Sequence, residues 1–216
     1  MIYLLDSGVS VNTNYCIDRF DLKNLPDDEV GHGTSMASVI KNVSPNSQIT
    51  SIKIGNDKPT LKDVLSCLEY VSSKAVEGYK VLLFNANFLN QKETKILELK
   101  LESMKEDFVI LVPAGNNSSS VDLYTPAHCN YVWTVGSLNK NKKITSVSNV
   151  DGNKIIDFWV VSTNVPAINK EKQSVRLFGT SVAASIAAAL ADKYQITNKN
   201  VLNNLIEEYN GSVAFN

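Results

Sequence analysis

The sequence predicts an α/β fold, a single domain over residues 1–216 built on a parallel β-sheet with helices on both faces. Three observations carry this expectation. Short β-rich runs alternate with stretches whose apolar residues recur at helical spacing, the pattern of a sheet whose strands are joined by helices. The strand runs near residues 1 and 80 are compact and apolar, as strands covered on both faces should be. Finally, 216 residues suit one substantial core, and neither an internal repeat nor a linker-like stretch divides them.

Each element has its own signal. Met1 to Leu5 reads as a buried strand that stops at Asp6. Thr34 to Val43 follows a Gly-His-Gly turn and reads as a helix closed by Pro45. Gln48 to Ile54 is a strand, and Leu61 to Val76 a helix with apolar residues at 61, 64, 65, 68 and 71. Lys80 to Phe84 is the next strand, followed by an amphipathic helix over Glu93 to Lys105. Phe108 to Val112 is a strand running into the turn Pro113-Ala114-Gly115-Asn116-Asn117. Tyr131 to Val135 and Ile155 to Val161 complete the strands, and Thr180 to Tyr194 and Asn198 to Tyr209 are the last helices.

Charge and cysteine content exclude several classes. With 21 basic and 22 acidic residues the net charge is −1, so no electrostatic case exists for nucleic acid or an anionic membrane. The charges between Lys92 and Glu106 fall at helical spacing and read as a solvated helix face. Hydrophobic residues make up 44%, yet no apolar run approaches a membrane span. Cys16, Cys67 and Cys129 are an odd, widely spaced set that fits neither a disulfide framework nor a zinc site. Free thiols, with an apolar start that lacks a basic leader, indicate the cytoplasm.

In parallel sheets, sites gather at the C-terminal ends of strands, where Asp6, Asn85 and Asn116 fall. The two histidines are His32, between glycines at a helix start, and His128, in a loop. Acyl transfer needs a serine, a histidine to take its proton, a carboxylate to orient the imidazole and donors for the oxyanion. Ser35 lies on the same helix as His32, so the two project alike and leave no room for a carbonyl between them. Ser181 opens another helix after Gly179-Thr180, where free backbone N–H groups favour developing negative charge. Each residue also has an ordinary structural use: Asp6 in a turn, His32 as a surface or structural side chain, Ser181 as a helix cap.

Asp6-Ser7-Gly8, Gly31-His32-Gly33-Thr34, Pro113-Ala114-Gly115-Asn116 and Gly179-Thr180-Ser181-Val182-Ala183 together resemble the four signature segments of the subtilisin-like serine proteases, in that family's chain order. Thr125-Pro126-Ala127 resembles the loop with a cis-proline and the base of the S1 pocket. Ser162 to Pro166 and Asn198 to Glu208 resemble segments flanking the nucleophile helix. The resemblance implies Ser181 as nucleophile, His32 as general base and acid, and Asp6 as its orienter. It also implies Asn116 and the Ser181 backbone N–H as oxyanion donors, with Ala114, Gly115 and Ala127 in the substrate wall.

Three departures refine the expectation. Asp6 stands five residues after Met1, which leaves no room for a preceding pro-domain and suggests a separate inhibitor or chaperone polypeptide. Asn85-Ala86-Asn87-Phe88 stands where the family usually has a Ser-aliphatic-Gly-Gly groove segment, implying a narrower choice of protein or peptide substrates. Ser185 replaces a proline usual in the nucleophile helix, and no acidic cluster suggests calcium, so no metal or other cofactor is expected. The expected activity is that of a serine endopeptidase acting through an acyl-enzyme. A peptide acyl-transferase using the same residues, or a binding scaffold without turnover, are the alternatives.

Overall fold

The computed structural model describes residues 1–23, 27–56, 58–74 and 78–213. Seven strands form one sheet: β1 (Ile2–Asp6), β2 (Asp18–Asp21), β3 (Ile49–Lys53), β4 (Val81–Phe84), β6 (Val109–Pro113), β8 (Trp133–Leu138) and β9 (Phe158–Val161). Their order is β2-β3-β1-β4-β6-β8-β9, and every neighbouring pair runs parallel. From β1 the chain crosses to the edge strand β2, returns inward through β3 and then continues on the other side of β1. The crevice at the C-terminal ends of β1 and β4 is therefore a topological switch point, the place where such sheets bind ligands.

Alternation along the strands explains why both faces are dry. Ile2 and Leu4 of β1, with Val81 and Leu83 of β4, face a core shared with α1 (His32–Val43), α4 (Thr180–Tyr194) and α5 (Lys199–Val213). Tyr3, Leu5, Leu82 and Phe84 face the opposite core, closed by α2 (Leu61–Ser73) and α3 (Lys95–Glu102). Two-sided burial is what the compact apolar runs require. Helix α4 is buried almost all round because it is nearly all alanine on its packing surfaces, and it lies against both α1 and the sheet. Among the described residues, no helix is long and apolar enough to cross a membrane.

Several boundaries differ from expectation. Strand β8 runs three residues past the expected end at Val135, because Val135–Leu138 pair in register with Phe158–Val161. Lys92–Thr94 form a 3-10 turn before α3, and helix α2 ends at Ser73. The last residues of its expected span, 75 and 76, lie outside the described residues. The pair β5 (Phe88–Leu89) and β7 (Tyr124–Thr125), the hairpin β10 (Val165–Ile168) and β11 (Ser174–Leu177), and edge strand β2 were not expected. Glu98 corrects the reading of α3 as a solvated charged face, since it is 6% exposed and turned inward.

Phe84 is fully buried where β4 meets the second core. Phe84→Ala is expected to cost about 3–5 kcal/mol through lost transfer energy and an unfilled cavity. Urea unfolding should show a lower midpoint at unchanged slope.

Candidate active site

Strand β1 delivers Asp6 to the edge of the crevice, where it is 4% exposed but fully engaged. Its Oδ1 accepts from the Ser7 backbone N–H at 2.7 Å and lies 2.7 Å from His32 Nδ1. Its Oδ2 accepts from Asn85 Nδ2 at 3.0 Å. An ionised carboxylate only accepts, so Nδ1 carries the imidazole proton and Nε2 is left as the basic nitrogen. The Asp6 charge raises the His32 pKa above its ordinary value; partial burial opposes this, while the Asp6 hydrogen bond and the charge of Asp28 reinforce it.

Helix α1 starts at His32 because the chain around it is pinned. Asp28, 2% exposed, accepts from Ser7 Oγ at 2.8 Å, Gly31 N at 2.7 Å, Thr34 N at 2.8 Å and Thr34 Oγ1 at 2.6 Å. Ser7 Oγ in turn accepts from Gly33 N at 3.0 Å. Gly33 has no alternative here: a Cβ at that position would stand 2.0 Å from the Gly8 carbonyl oxygen. No sequence signal singled out Asp28. Its four donors come from both sides of the Asp6–His32 contact, and only the fold assembles them.

The serine arrives on a separate element. Gly179, at φ 110°, turns the chain from β11 into α4, and Ser181 is the second residue of that helix. Thr180 N and Oγ1 both donate to Asn116 Oδ1, at 3.0 and 3.1 Å, and Gly115 N donates to Thr180 Oγ1 at 3.2 Å. A backbone N–H needs an acceptor, so the Asn116 carbonyl is committed to Thr180 and its amide NH₂ is turned away from it. Ser181 and His32 line an open groove of about 1350 Å³ together with Asp6 and Asn85. The same two residues line an adjoining hollow of about 620 Å³ with Asn116 and the 67% exposed Phe178. Ser181 thus faces His32 from a second helix, with its backbone N–H in a first turn that lacks intrahelical partners.

Ser35 does none of this: its Oγ donates to the Gly31 carbonyl at 2.9 Å, inside its own helix. Ser185 likewise donates to the Ser181 carbonyl at 2.8 Å. All four residues Asn85, Ala86, Asn87 and Phe88 line the larger groove. Asn85 is spent largely on Asp6, and Asn87 Nδ2 donates to the Pro113 carbonyl at 2.9 Å. Ala114 and Ala127 are 0% exposed, Gly115 is buried, and none of the three is a lining residue of either cavity. The Thr125–Pro126 peptide is cis. Val30, Lys58 and Pro59 also line this groove and escaped the sequence reading, although Val30 sits two residues before His32. None of the cysteines is activated as a nucleophile: burial pushes the Cys67 thiol up to about 12 and Cys129 up to about 11, and also raises Cys16.

Comparison with known proteins places the chain in a family. The sequence pattern described as the Subtilase family matches residues 4–207. Subtilisin-like protease 2 of Pseudogymnoascus destructans is 24% identical over 88% of this chain and 50% of its own length. The cuticle-degrading serine protease of Arthrobotrys oligospora is 23% identical over 89% of this chain and 51% of its own. This chain therefore spans about half the length of these curated relatives. Among solved structures, a cold adapted subtilisin-like serine proteinase superposes with a TM-score of 0.80 at 20% identity, over 98% of this chain and 79% of that one.

A histidine held above its ordinary pKa should titrate by NMR with a midpoint above about 6.5. In Asp6→Asn the midpoint should fall, because the largest raising influence is gone. The stability that this pair supplies is fully present below about pH 6.5 and is lost as pH rises through the folded-state pKa. The destabilisation by Asp6→Asn should therefore be larger at about pH 6 than at about pH 9, read by urea unfolding at both.

Proposed function

Because this chain belongs to the subtilase family, we propose that it is a serine endopeptidase that cleaves peptide bonds through an acyl-enzyme. The observation that carries the reading is His32, held by Asp6 through Nδ1, across one groove from Ser181. In this reading His32 Nε2 takes the proton of Ser181 Oγ as that oxygen attacks the scissile carbonyl. The charge that develops on the carbonyl oxygen is met by the Ser181 backbone N–H and the Asn116 amide. His32 then passes its proton to the departing amine, and water repeats the sequence to free the acyl group.

The substrates in this proposal are a narrow set of proteins or peptides. Support comes from the groove wall, where Asn85 to Phe88 stand in place of small residues and already bind Asp6 and the Pro113 carbonyl. A peptide strand laid there must match fixed polar groups and the Phe88 ring. The three free cysteines support a reducing, cytoplasmic setting. A separate inhibitor or chaperone polypeptide belongs to the same proposal as the means of control, and the balanced charge supports partners other than nucleic acid or membrane.

A fluorophosphonate probe, which reacts with an activated serine, should modify Ser181, as located by peptide mapping. Ser181→Ala should remove labelling and turnover, while Ser35→Ala keeps most of both. A folded protein that resists the probe would instead be a binding scaffold.

Asn116→Leu should lower kcat by about 10²–10³ with little change in KM, a magnitude taken from removal of one oxyanion donor in a subtilisin. Steady-state kinetics on a peptide substrate measure it, and unchanged kcat would remove Asn116 from the chemistry.

A further inference from the structure

Outside the groove, helix α3 meets the loop that follows β7 at a second cluster of reactive side chains. Glu98 is 6% exposed on α3, Cys129 is 6% exposed on the loop, and His128 is half-buried between them. The His128 ring is fixed by its Nδ1, 2.9 Å from the Tyr124 carbonyl oxygen. A carbonyl only accepts, so Nδ1 carries the proton and Nε2 presents a lone pair. Metal-binding histidines are held in this way, by a carbonyl or carboxylate on the nitrogen that does not bind.

The remaining geometry matches a small tetrahedron. Nε2 lies 3.4 Å from Glu98 Oε1 and 3.8 Å from Cys129 Sγ. All three donor atoms fall within 4.8 Å of one another. With bonds of about 2.0 Å to nitrogen and oxygen and about 2.3 Å to sulfur, a tetrahedral zinc ion sets an N···O edge near 3.3 Å and an N···S edge of about 3.6 Å. Two edges of the coordination figure are thus nearly formed by protein packing alone. The other carboxylate oxygen, Glu98 Oε2, is held at 2.6 Å by Lys95 Nζ, while Oε1, which faces the ion, accepts one longer hydrogen bond from Thr125 Oγ1 at 3.3 Å and keeps a second lone pair for it.

We propose that Glu98, His128 and Cys129 form a binding site for a divalent cation of the zinc class, with water as the fourth ligand. A carboxylate, a thiolate and a neutral imidazole together balance a charge of +2, and mixed O, N and S donors in a tetrahedron favour zinc over magnesium or calcium. Glu98 and His128 border an open hollow of about 790 Å³, which provides both entry and room for the water. Bound there, the ion clips α3 to the loop that carries the cis Thr125–Pro126 peptide. Sequence spacing concealed the site because Glu98 lies some thirty positions before the adjacent His128–Cys129 pair.

Cobalt(II) reports the site directly, since a thiolate ligand adds a charge-transfer band and a four-coordinate ion absorbs strongly in the visible. The reduced wild-type protein should bind one equivalent of Co²⁺ with both features, and Zn²⁺ should displace it and raise the melting temperature. Cys129→Ser should lose the charge-transfer band and bind more than about tenfold more weakly, while Cys16→Ser behaves as wild type. His128→Gln should weaken binding by a similar factor, and it decides the question should Cys129→Ser fail to fold. Absence of the band in wild type, its persistence in Cys129→Ser, or unchanged affinity in His128→Gln would each overturn the site.

Discussion

The Asp28 carboxylate takes hydrogen bonds from Ser7, which follows β1, and from Gly31 and Thr34, which flank His32. Asp6 and His32 come from different elements, and their 2.7 Å contact holds only while those elements keep one relative position. A carboxylate removed from water is tolerable only when its oxygens are satisfied, and four donors do that here. The cost of burying the charge is thereby offset by fixing two chain segments at once. Its charge also adds to that of Asp6 in keeping His32 above its ordinary pKa. One interaction thus supports both the geometry and the electrostatics of the pair.

The serine half of the site is located by packing instead. Helix α4 presents alanine towards both α1 and the sheet, and small side chains let helix and strand backbones approach closely. The start of α4 is thereby set against the β6 turn, where Thr180 and Asn116 clasp each other. Because that clasp uses the Asn116 carbonyl, the rigidity of the turn and the availability of the amide donors have the same origin. The two helix starts approach the crevice from one side of the sheet, so His32 and Ser181 face one another without sharing an element.

Much of this is legible in the amino-acid sequence. Strand β1 and helix α4 lie within a residue of expectation because long apolar or alanine-rich runs have few other uses. Asp6, His32, Asn116 and Ser181 were legible through short segments in a fixed order rather than through any single residue. Strand β2, Asp-Arg-Phe-Asp at an exposed sheet edge, carries no apolar pattern, and the hairpin β10–β11 is equally short. Asp28 is one acidic residue among 22 in the sequence, and its partner Ser7 lies 21 positions away. Such roles arise from tertiary contact, which local composition does not encode. The same holds for Ala114 and Ala127, small residues beside turns that the fold buries completely.

Asn85 shows how closely groove and chemistry are joined in this chain. Read as a sequence, it replaces a small groove residue and narrows the wall. In the structure its Nδ2 also holds the outer oxygen of Asp6, so the wall and the carboxylate share a side chain. The Oδ1 atoms of Asn85 and Asn87 find no hydrogen-bond partner within the protein. An apolar residue at 85 would remove that unpaired oxygen but would release Asp6 from one of its three donors. A smaller residue would open the groove with the same loss. The shape of the groove wall and the hold on the Asp6 carboxylate therefore cannot be altered independently at this position, because both pass through one amide.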